Sequence, residues 1–119
     1  MNKINEIFGA GLNNRVAVYV PSTVDAATAD AAAAEKMTEN VAAELSQLFG
    51  GATISLAAGA WVSADFGLIR EDIKIVYSYC SNEQLEKFAP DILRIAEHVK
   101  REMSQEAVSV EVNNNLYFV

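Results

Sequence analysis

The side chains that most often carry out chemistry are scarce in this sequence. His98 is the only histidine and Cys80 the only cysteine. A metal site built from several histidine or cysteine ligands is therefore excluded, and a serine-histidine-aspartate triad would have to include His98. On its predicted helix His98 lies away from the apolar stripe, which is typical of a surface residue. We expect no catalytic residues, no metal site and no cofactor.

The carboxylates and small polar residues of the sequence also do not have the spacing of a known catalytic or phosphate-binding motif. Arg70, Glu71 and Asp72 open a predicted strand, and neighbouring strand residues point to opposite faces, so the two acids do not form a pair. Ser22-Thr23 follows a strand without a glycine-rich phosphate loop. Gly50-Gly51 ends a helix before a strand, the reverse of the order in a phosphate-binding loop. These features favour solvated charges and helix capping.

Two positions have a functional interpretation beside a structural one. Cys80 ends a predicted strand just before a helix, where the pKa of a thiol can be lowered, but no base accompanies it and a structural role is favoured. Trp61 lies near the tip of a predicted hairpin, with Phe66 after it. Exposed aromatic residues anchor protein interfaces, whereas the alternative is that Trp61 folds onto the sheet. We therefore take Trp61 and Phe66 as interaction candidates.

Composition limits the classes of protein that fit. The 119 residues are enough for one domain with its own core, and 51% of them are hydrophobic. The net charge of −7 and the pI of about 4.6 argue against direct nucleic-acid binding. The sequence has no apolar run of membrane-spanning length and no signal-peptide pattern, so we expect a cytoplasmic protein. The acidity indicates solubility or, alternatively, a partner with a basic surface.

A pair of strands at residues 49–80 organises the predicted fold. Ile54 and Leu56 in one run, and Ile73, Ile75 and Tyr77 in the next, recur at every second residue. Residues 63–67 have the composition of a turn, in which Gly67 can take a positive φ. The sequence therefore predicts a β-hairpin here, with one helical segment on either side.

The N-terminal half adds one strand and one helix. Residues 1–14 read as an irregular lead-in, and residues 15–20 as a strand that Pro21 ends. We expect residues 22–28 to be a loop and a helix to start near Asp30, with an apolar stripe, and to stop at residues 50–51.

The C-terminal half repeats that order. Ser81 and Gln84 fit a capping box at the start of a helix that Pro90 should kink or restart. Residues 107–112 alternate as a strand, residues 113–115 form a turn, and residues 116–119 read as a short final strand.

The element order β-α-β-β-α-β predicts an α+β ferredoxin-like sandwich over residues 15–119. It has a four-stranded antiparallel sheet, two helices on one face and a short C-terminal strand. Strand alternation then assigns each residue to a face. The side chains expected under the helices are Val16, Val18, Val20, Ile54, Leu56, Ile73, Ile75, Tyr77, Val108, Val110 and Val112. Those expected on the open face are Ala17, Tyr19, Thr53, Ser55, Lys74, Val76, Ser78, Cys80, Ser109 and Glu111.

Several segments resemble an uncharacterised family of small bacterial proteins of this ferredoxin-like type. They are residues 18–23, 44–53, 59–63, 75–78, 100–108 and 116–118, and the alanine-rich residues 26–34 depart from the pattern. The family has no established activity, so the resemblance implies the fold and adds no chemistry. The occurrence of such proteins on mobile elements keeps a role in genome defence open, by analogy.

We therefore predict a non-enzymatic interaction or regulatory domain, as a homodimer or other homo-oligomer. The residues expected at the interface are Trp61, Phe66, Tyr19, Val76, Ser78 and Cys80. One alternative is an acidic, mobile-element-encoded inhibitor of a nucleic-acid-handling defence complex, similar in logic to anti-CRISPR proteins. Another is a small α+β-barrel enzyme with a site at the end of the sheet.

Overall fold

A computed structural model describes residues 2–24 and 28–119 of the chain. Its helices and strands follow the predicted order with some additions. The elements are α1 (Lys3–Phe8), β1 (Asn14–Pro21), β2 (Thr23–Val24), β3 (Thr28–Ala29), α2 (Ala31–Phe49), β4 (Thr53–Ser63), β5 (Gly67–Cys80), α3 (Asn82–Glu102), β6 (Ser109–Val112) and β7 (Asn115–Phe118).

The main sheet has five strands in the order β4-β5-β1-β6-β7, and every neighbouring pair is antiparallel. The first four positions have the ferredoxin-like order, in which the crossover from β1 to β4 leaves a space that β5 fills. The α+β ferredoxin-like class is therefore confirmed. The predicted short C-terminal strand is present as β7. The predicted four-stranded sheet with two helices is not matched, because β7 joins the sheet beyond β6 and α1 is a third helix.

Both long helices pack on one face of this sheet. Val16, Val18 and Val20 of β1 are fully or almost fully buried beneath them. The helices fill the layer above with Leu45 of α2 and Ile95 of α3, both fully buried. The predicted one-sided arrangement is confirmed, and the opposite face of the sheet is open. No helix in the described part of the chain is long and apolar enough to cross a membrane.

Local sequence signals set the helix ends. Asp30 caps α2 by accepting a hydrogen bond from Ala33 N at 3.0 Å, and Gly50 ends it at a φ of 91°. Ser81 forms the predicted capping box with Gln84. The helix α3 continues through Pro90, so it does not restart there, and the alternative of a kink stays a prediction.

The predicted facing of β5 is wrong. Val76, Ser78 and Cys80 lie beneath the helices, at 0%, 3% and 0% exposure, whereas we expected them on the open face. The register explains this result, because Val18 of β1 pairs with Val76 and directly paired residues share a face. Ser78 tolerates burial because its hydroxyl donates to Gly51 O at 2.6 Å.

The N-terminal segments also differ from expectation. The lead-in contains α1, and all six of its residues are exposed. The predicted loop at residues 22–28 contains part of a two-stranded sheet of β2 and β3. Residues 25–27 lie outside the described residues. The division of the chain at residue 14 stays a prediction.

The hairpin of β4 and β5 extends well beyond the rest of the sheet. The pairing of β1 with β5 ends at Pro21 and Ile73, whereas β4 and β5 stay paired to Ser63 and Gly67. We call residues 58–72 the arm. The chain has a longest dimension of 54 Å and a radius of gyration of 16.0 Å. A compact chain of this length has a radius of about 13.5 Å.

Candidate functional site on the open face of the sheet

Polar and aromatic side chains gather on the face of the sheet opposite the helices. We call Arg15, Tyr19, Tyr77, Tyr79 and Glu111 the open-face cluster. Their strands place them together, because Arg15 pairs with Tyr79 and Ala17 pairs with both Tyr77 and Glu111. Tyr19 is two residues beyond Ala17 on the same face. Three strands that are distant in sequence therefore contribute to one surface.

Direct contacts link the members of the cluster. The Tyr19 hydroxyl donates to Glu111 Oε1 at 2.9 Å. The Arg15 guanidinium carbon lies 3.8 Å from the centre of the Tyr77 ring, a cation–π contact. The rings of Tyr77 and Tyr79 meet edge to face, with their centres 6.0 Å apart. Ala17 beneath them is fully covered, so the surface is closely packed.

The charges of the cluster influence each other. Burial raises the pKa of Tyr19, and the hydrogen bond to Glu111 raises it further, because a proton on the hydroxyl is held between the two oxygens. Partial burial lowers the pKa of Arg15, but the nearby Tyr79 and Glu111 outweigh this effect and the pKa is raised. The cluster therefore combines the Arg15 guanidinium with a Tyr19 hydroxyl that keeps its proton and donates it to Glu111.

This combination suits a small ligand that carries both charges. A guanidinium binds a carboxylate through two parallel hydrogen bonds, and a carboxylate accepts hydrogen bonds from an ammonium group. Tyrosine rings attract further positive charge by their faces and pack against flat rings. The cluster can thus hold a zwitterionic amino acid portion next to an aromatic or cationic portion of the same ligand.

Only part of the predicted interface lies in this cluster. Tyr19 belongs to it, whereas Val76, Ser78 and Cys80 are buried on the other face. Trp61 and Phe66 are exposed, at 54% and 81%. Trp61 is eight residues along β4 from the partner of Tyr77, a distance of about 26 Å. The role of these residues in an interface stays a prediction.

Sequence reasoning missed Arg15, Tyr77 and Tyr79 as site residues. The sequence pattern places Arg15 at the start of a strand and Tyr77 on the helix-covered face. It places Glu111 on the open face, which is correct, but gives no reason to select Glu111 as a site residue. The alternation of Tyr77 and Tyr79 was the available signal, because two large hydroxyl-bearing rings are harder to bury than Val76 and Ser78.

Among the described residues, no group of three or more histidine, cysteine, aspartate or glutamate side chains is placed to hold a metal ion. Cys80 is buried, and burial raises the pKa of its thiol, which disfavours the reactive thiolate. His98 is half-buried on the helix side of the molecule, where it lines a cleft with Met37 and Asn40.

Solved structures share this fold over almost the whole chain. A phage SAM lyase in complex with S-methyl-5'-thioadenosine matches with a TM-score of 0.63 and 17% identity, over 92% of this chain and 91% of that one. A phage SAM lyase in its apo state matches with a TM-score of 0.63 and 18% identity, over 90% of this chain and 88% of that one. CutA from Synechococcus elongatus matches with a TM-score of 0.50 and 13% identity, over 89% of this chain and 80% of that one. The sequence matches no family model and no curated protein.

These findings correct the predicted function. The prediction of a non-enzymatic interaction domain is wrong, because the chain shares its whole fold with a lyase of nearly the same extent. The alternative of an inhibitor of a defence complex is withdrawn with it. The resemblance to an uncharacterised bacterial family is upheld only as a likeness of fold.

Proposed function

We propose that this protein is an enzyme that cleaves a sulfonium substrate of the S-adenosylmethionine (SAM) type, with the open-face cluster as its binding surface. The observation that carries this proposal is the match to a phage SAM lyase over nine tenths of both chains. At 17% identity that match concerns the fold, so the site has to be argued from the residues of this chain.

The charge of the chain suits a cationic substrate. SAM carries a positive sulfonium next to an α-amino acid, and a net charge of −7 raises the local concentration of cations around the protein. Arg15 would pair with the substrate carboxylate, and Glu111 would accept hydrogen bonds from its ammonium group. The exposed edges and faces of Tyr77 and Tyr79 would lie against the sulfonium and the adenine ring.

The proposed reaction needs no nucleophile from the protein. The bond between sulfur and the four-carbon amino acid portion breaks, and its electron pair moves to sulfur, which leaves as the neutral thioether S-methyl-5'-thioadenosine. A lyase adds no water, so a carboxylate oxygen of the departing fragment forms a new bond to the carbon that sulfur leaves. This closes a lactone ring, and no proton has to be transferred. The cluster would favour this step by orienting the amino acid portion of the substrate.

The direct test is to incubate the purified protein with SAM and measure S-methyl-5'-thioadenosine by mass spectrometry. We expect the amount of S-methyl-5'-thioadenosine to increase in proportion to the amount of protein added.

A substitution in the cluster tests the site. Glu111→Gln should retain a hydrogen-bond acceptor for Tyr19 but lose the charge, and we expect a fall in kcat/KM of roughly 10²-fold, the scale of one lost electrostatic partner. Glu106→Gln, at an exposed carboxylate outside the cluster, is the matched control. Absence of product with folded protein would refute the proposal.

We also propose that the chain self-associates along β4. This edge strand is 11 residues long, and on the helix side its hairpin exposes Leu56 at 79%, Val62 at 77% and Leu68 at 62%. In the described part of the chain, β4 pairs on one side alone, with β5. A long apolar edge with open backbone groups is a template for pairing with another strand, and a second copy supplies one.

Light scattering tests this association. We expect the native protein to have a mass above that of one chain, and Leu56→Lys combined with Val62→Lys to reduce the mass to a monomer. Ala43→Lys, at an exposed position of α2, should leave it unchanged. A monomeric native protein at tens of micromolar would contradict the proposal. A cytoplasmic location fits a SAM-consuming enzyme, and a partner with a basic surface remains a prediction.

A further inference from the structure

The two edge strands of the main sheet are both open to further pairing. Within residues 2–24 and 28–119, β4 pairs with β5 alone and β7 pairs with β6 alone, so each edge has a free row of backbone N–H and C=O groups. Natural sheets often block such edges with lysine, proline or other charged residues. Neither Thr53–Ser63 nor Asn115–Phe118 contains a charged residue or a proline. Both edges are therefore available to a strand of another chain.

The β4 edge carries apolar side chains on the helix side of the sheet. Ile54 pairs with Val76, which is buried beneath the helices, and Leu56 is two residues further along the same face. Ile54 and Leu56 are nevertheless 46% and 79% exposed. They lie at the outer margin of the layer that α2 and α3 cover, so the β4 edge presents apolar groups to a neighbour.

An apolar groove lies at the opposite edge, between α3 and β7. We call it the α3–β7 groove. It has a volume of about 520 Å³, and its lining includes Leu85, Ala89, Leu93, Val110 and Tyr117. Val110 is buried beneath the helices and pairs with Tyr117, and paired residues share a face. The groove is therefore also on the helix side of the sheet, in the same layer as the exposed side chains of β4.

This arrangement makes the two edges of one chain complementary. If β4 of one copy joins β7 of the next, with both helix layers on the same side, Ile54 and Leu56 of the first copy lie over the α3–β7 groove of the second. Each strand keeps the position that it has in its own chain, so the contact needs no rearrangement. Apolar side chains that are exposed at one edge would fill an apolar cavity at the other.

Two-fold contacts between identical edges satisfy the chain less well. Pairing of two β4 strands would leave the groove and the β7 edge uncovered, and pairing of two β7 strands would leave the β4 edge uncovered. A head-to-tail contact covers both edges with one kind of interface, and repeated by a rotation it closes a ring. A closed ring leaves no open edge for aggregation.

We infer that β4 of one copy docks on the β7 edge of the next, with Ile54 and Leu56 in the α3–β7 groove, so that the chains form a closed head-to-tail ring. The inference rests on the self-association along β4 proposed above and names the surface that β4 meets. It does not depend on the proposed enzymatic activity.

Light scattering of variants altered in the groove tests the contact. Leu93→Lys places a charge in the groove at a position that is 49% exposed, so the fold should tolerate it. We expect it to lower the mass to that of one chain, 12.9 kDa, although β4 is unchanged. Ala89→Lys, at a second exposed position of the lining, should have the same effect. Ala43→Lys, exposed on α2 away from both edges, is the matched control and should keep the native mass.

A mixing experiment identifies the two surfaces that meet. The isotope-labelled chain carries Leu56→Lys and Val62→Lys and keeps the groove, and the unlabelled chain carries Leu93→Lys and keeps β4. We expect the amide signals of Leu85 and Tyr117 in the labelled chain to shift in an NMR spectrum when the two are mixed. Adding the unlabelled form of the first chain instead should leave these signals in place, because neither chain then has an intact β4 edge.

The outcomes separate this inference from the association on which it rests. A native mass that Leu93→Lys and Ala89→Lys leave unchanged would overturn the head-to-tail contact while the association along β4 stands. Unchanged amide signals on mixing would overturn it as well. A monomeric native protein would overturn both proposals. Circular dichroism of each variant confirms that it is folded before its mass is compared.

Discussion

Replacing Asn14 with alanine should destabilise the fold by far more than an ordinary substitution near the start of a strand. Asn14 is 5% exposed and makes three side-chain hydrogen bonds that join separate elements. It donates to Asn82 Oδ1 at 2.7 Å and to Cys80 O at 3.3 Å, and it accepts from Asn113 Nδ2 at 3.0 Å. The start of β1 is thereby fastened to α3 and to the β6–β7 turn.

The expected loss follows from what happens to the three partners. Each hydrogen bond contributes about 1 kcal/mol net, and a buried partner left unsatisfied costs more than one that returns to water. Asn82 and Asn113 are exposed and can bind water, whereas Cys80 is buried. We therefore expect the free energy of unfolding to fall by about 2 kcal/mol, between the full loss of three bonds and the loss of one.

Urea unfolding followed by circular dichroism measures this loss. With a slope of about 1.5 kcal/mol per M, the midpoint should fall by roughly 1.3 M at an unchanged slope. Asn13→Ala is the matched control, since Asn13 is exposed and makes no side-chain hydrogen bond in the described part of the chain. It should change stability by less than about 0.5 kcal/mol. Equal midpoints for the two variants would refute the reasoning.

Three further results are expected. Ser81→Ala removes the capping box of α3 and should lower the free energy of unfolding by about 1 kcal/mol in a urea titration; no change would mean that the cap contributes nothing. Burial and the hydrogen bond to Glu111 raise the pKa of Tyr19, so its contribution to stability is complete below pH 10 and is lost as the pH rises through the higher folded-state pKa. Tyr19→Phe should flatten that alkaline loss in denaturant midpoints, and an identical pH profile would contradict the assignment. Burial raises the pKa of Cys80, so a thiol reagent should label it in urea and leave it unlabelled in the native protein.

The sequence was informative where short-range chemistry decides the structure. Ser81 and Gln84 marked the start of α3, and Asp30 marked the start of α2, because the side chains that cap a helix are adjacent to it in sequence. Gly67, the first residue of β5 after the turn, takes a φ of 74°, the positive value that the turn composition predicts. The β-α-β-β-α-β order then limited the fold to the ferredoxin-like arrangement.

The sequence alone does not determine which side chains of β5 face the helices, because that depends on strand register. A one-residue slip moves every side chain of a strand to the other face, and the pattern of β5 allows both choices. Ile73, Ile75 and Tyr77 form the more apolar alternative, yet the structure buries Val76, Ser78 and Cys80. Size explains the outcome, because α2 and α3 already bring large side chains to the layer and smaller ones on β5 let the helices approach.

The choice of face on β5 also creates the candidate site. With Val76 under the helices, Tyr77 and Tyr79 must point to the open side, where Arg15 of the neighbouring strand β1 contacts Tyr77 and Glu111 of β6 lies one strand further away. The opposite register would bury two phenol hydroxyls in an apolar layer and would leave Arg15 without an aromatic surface. The same strand register therefore determines both which residues of β5 pack in the core and which residues form the open-face cluster. A substitution that enlarges a buried residue of β5 should disturb the open-face cluster even though it lies on the other side of the sheet.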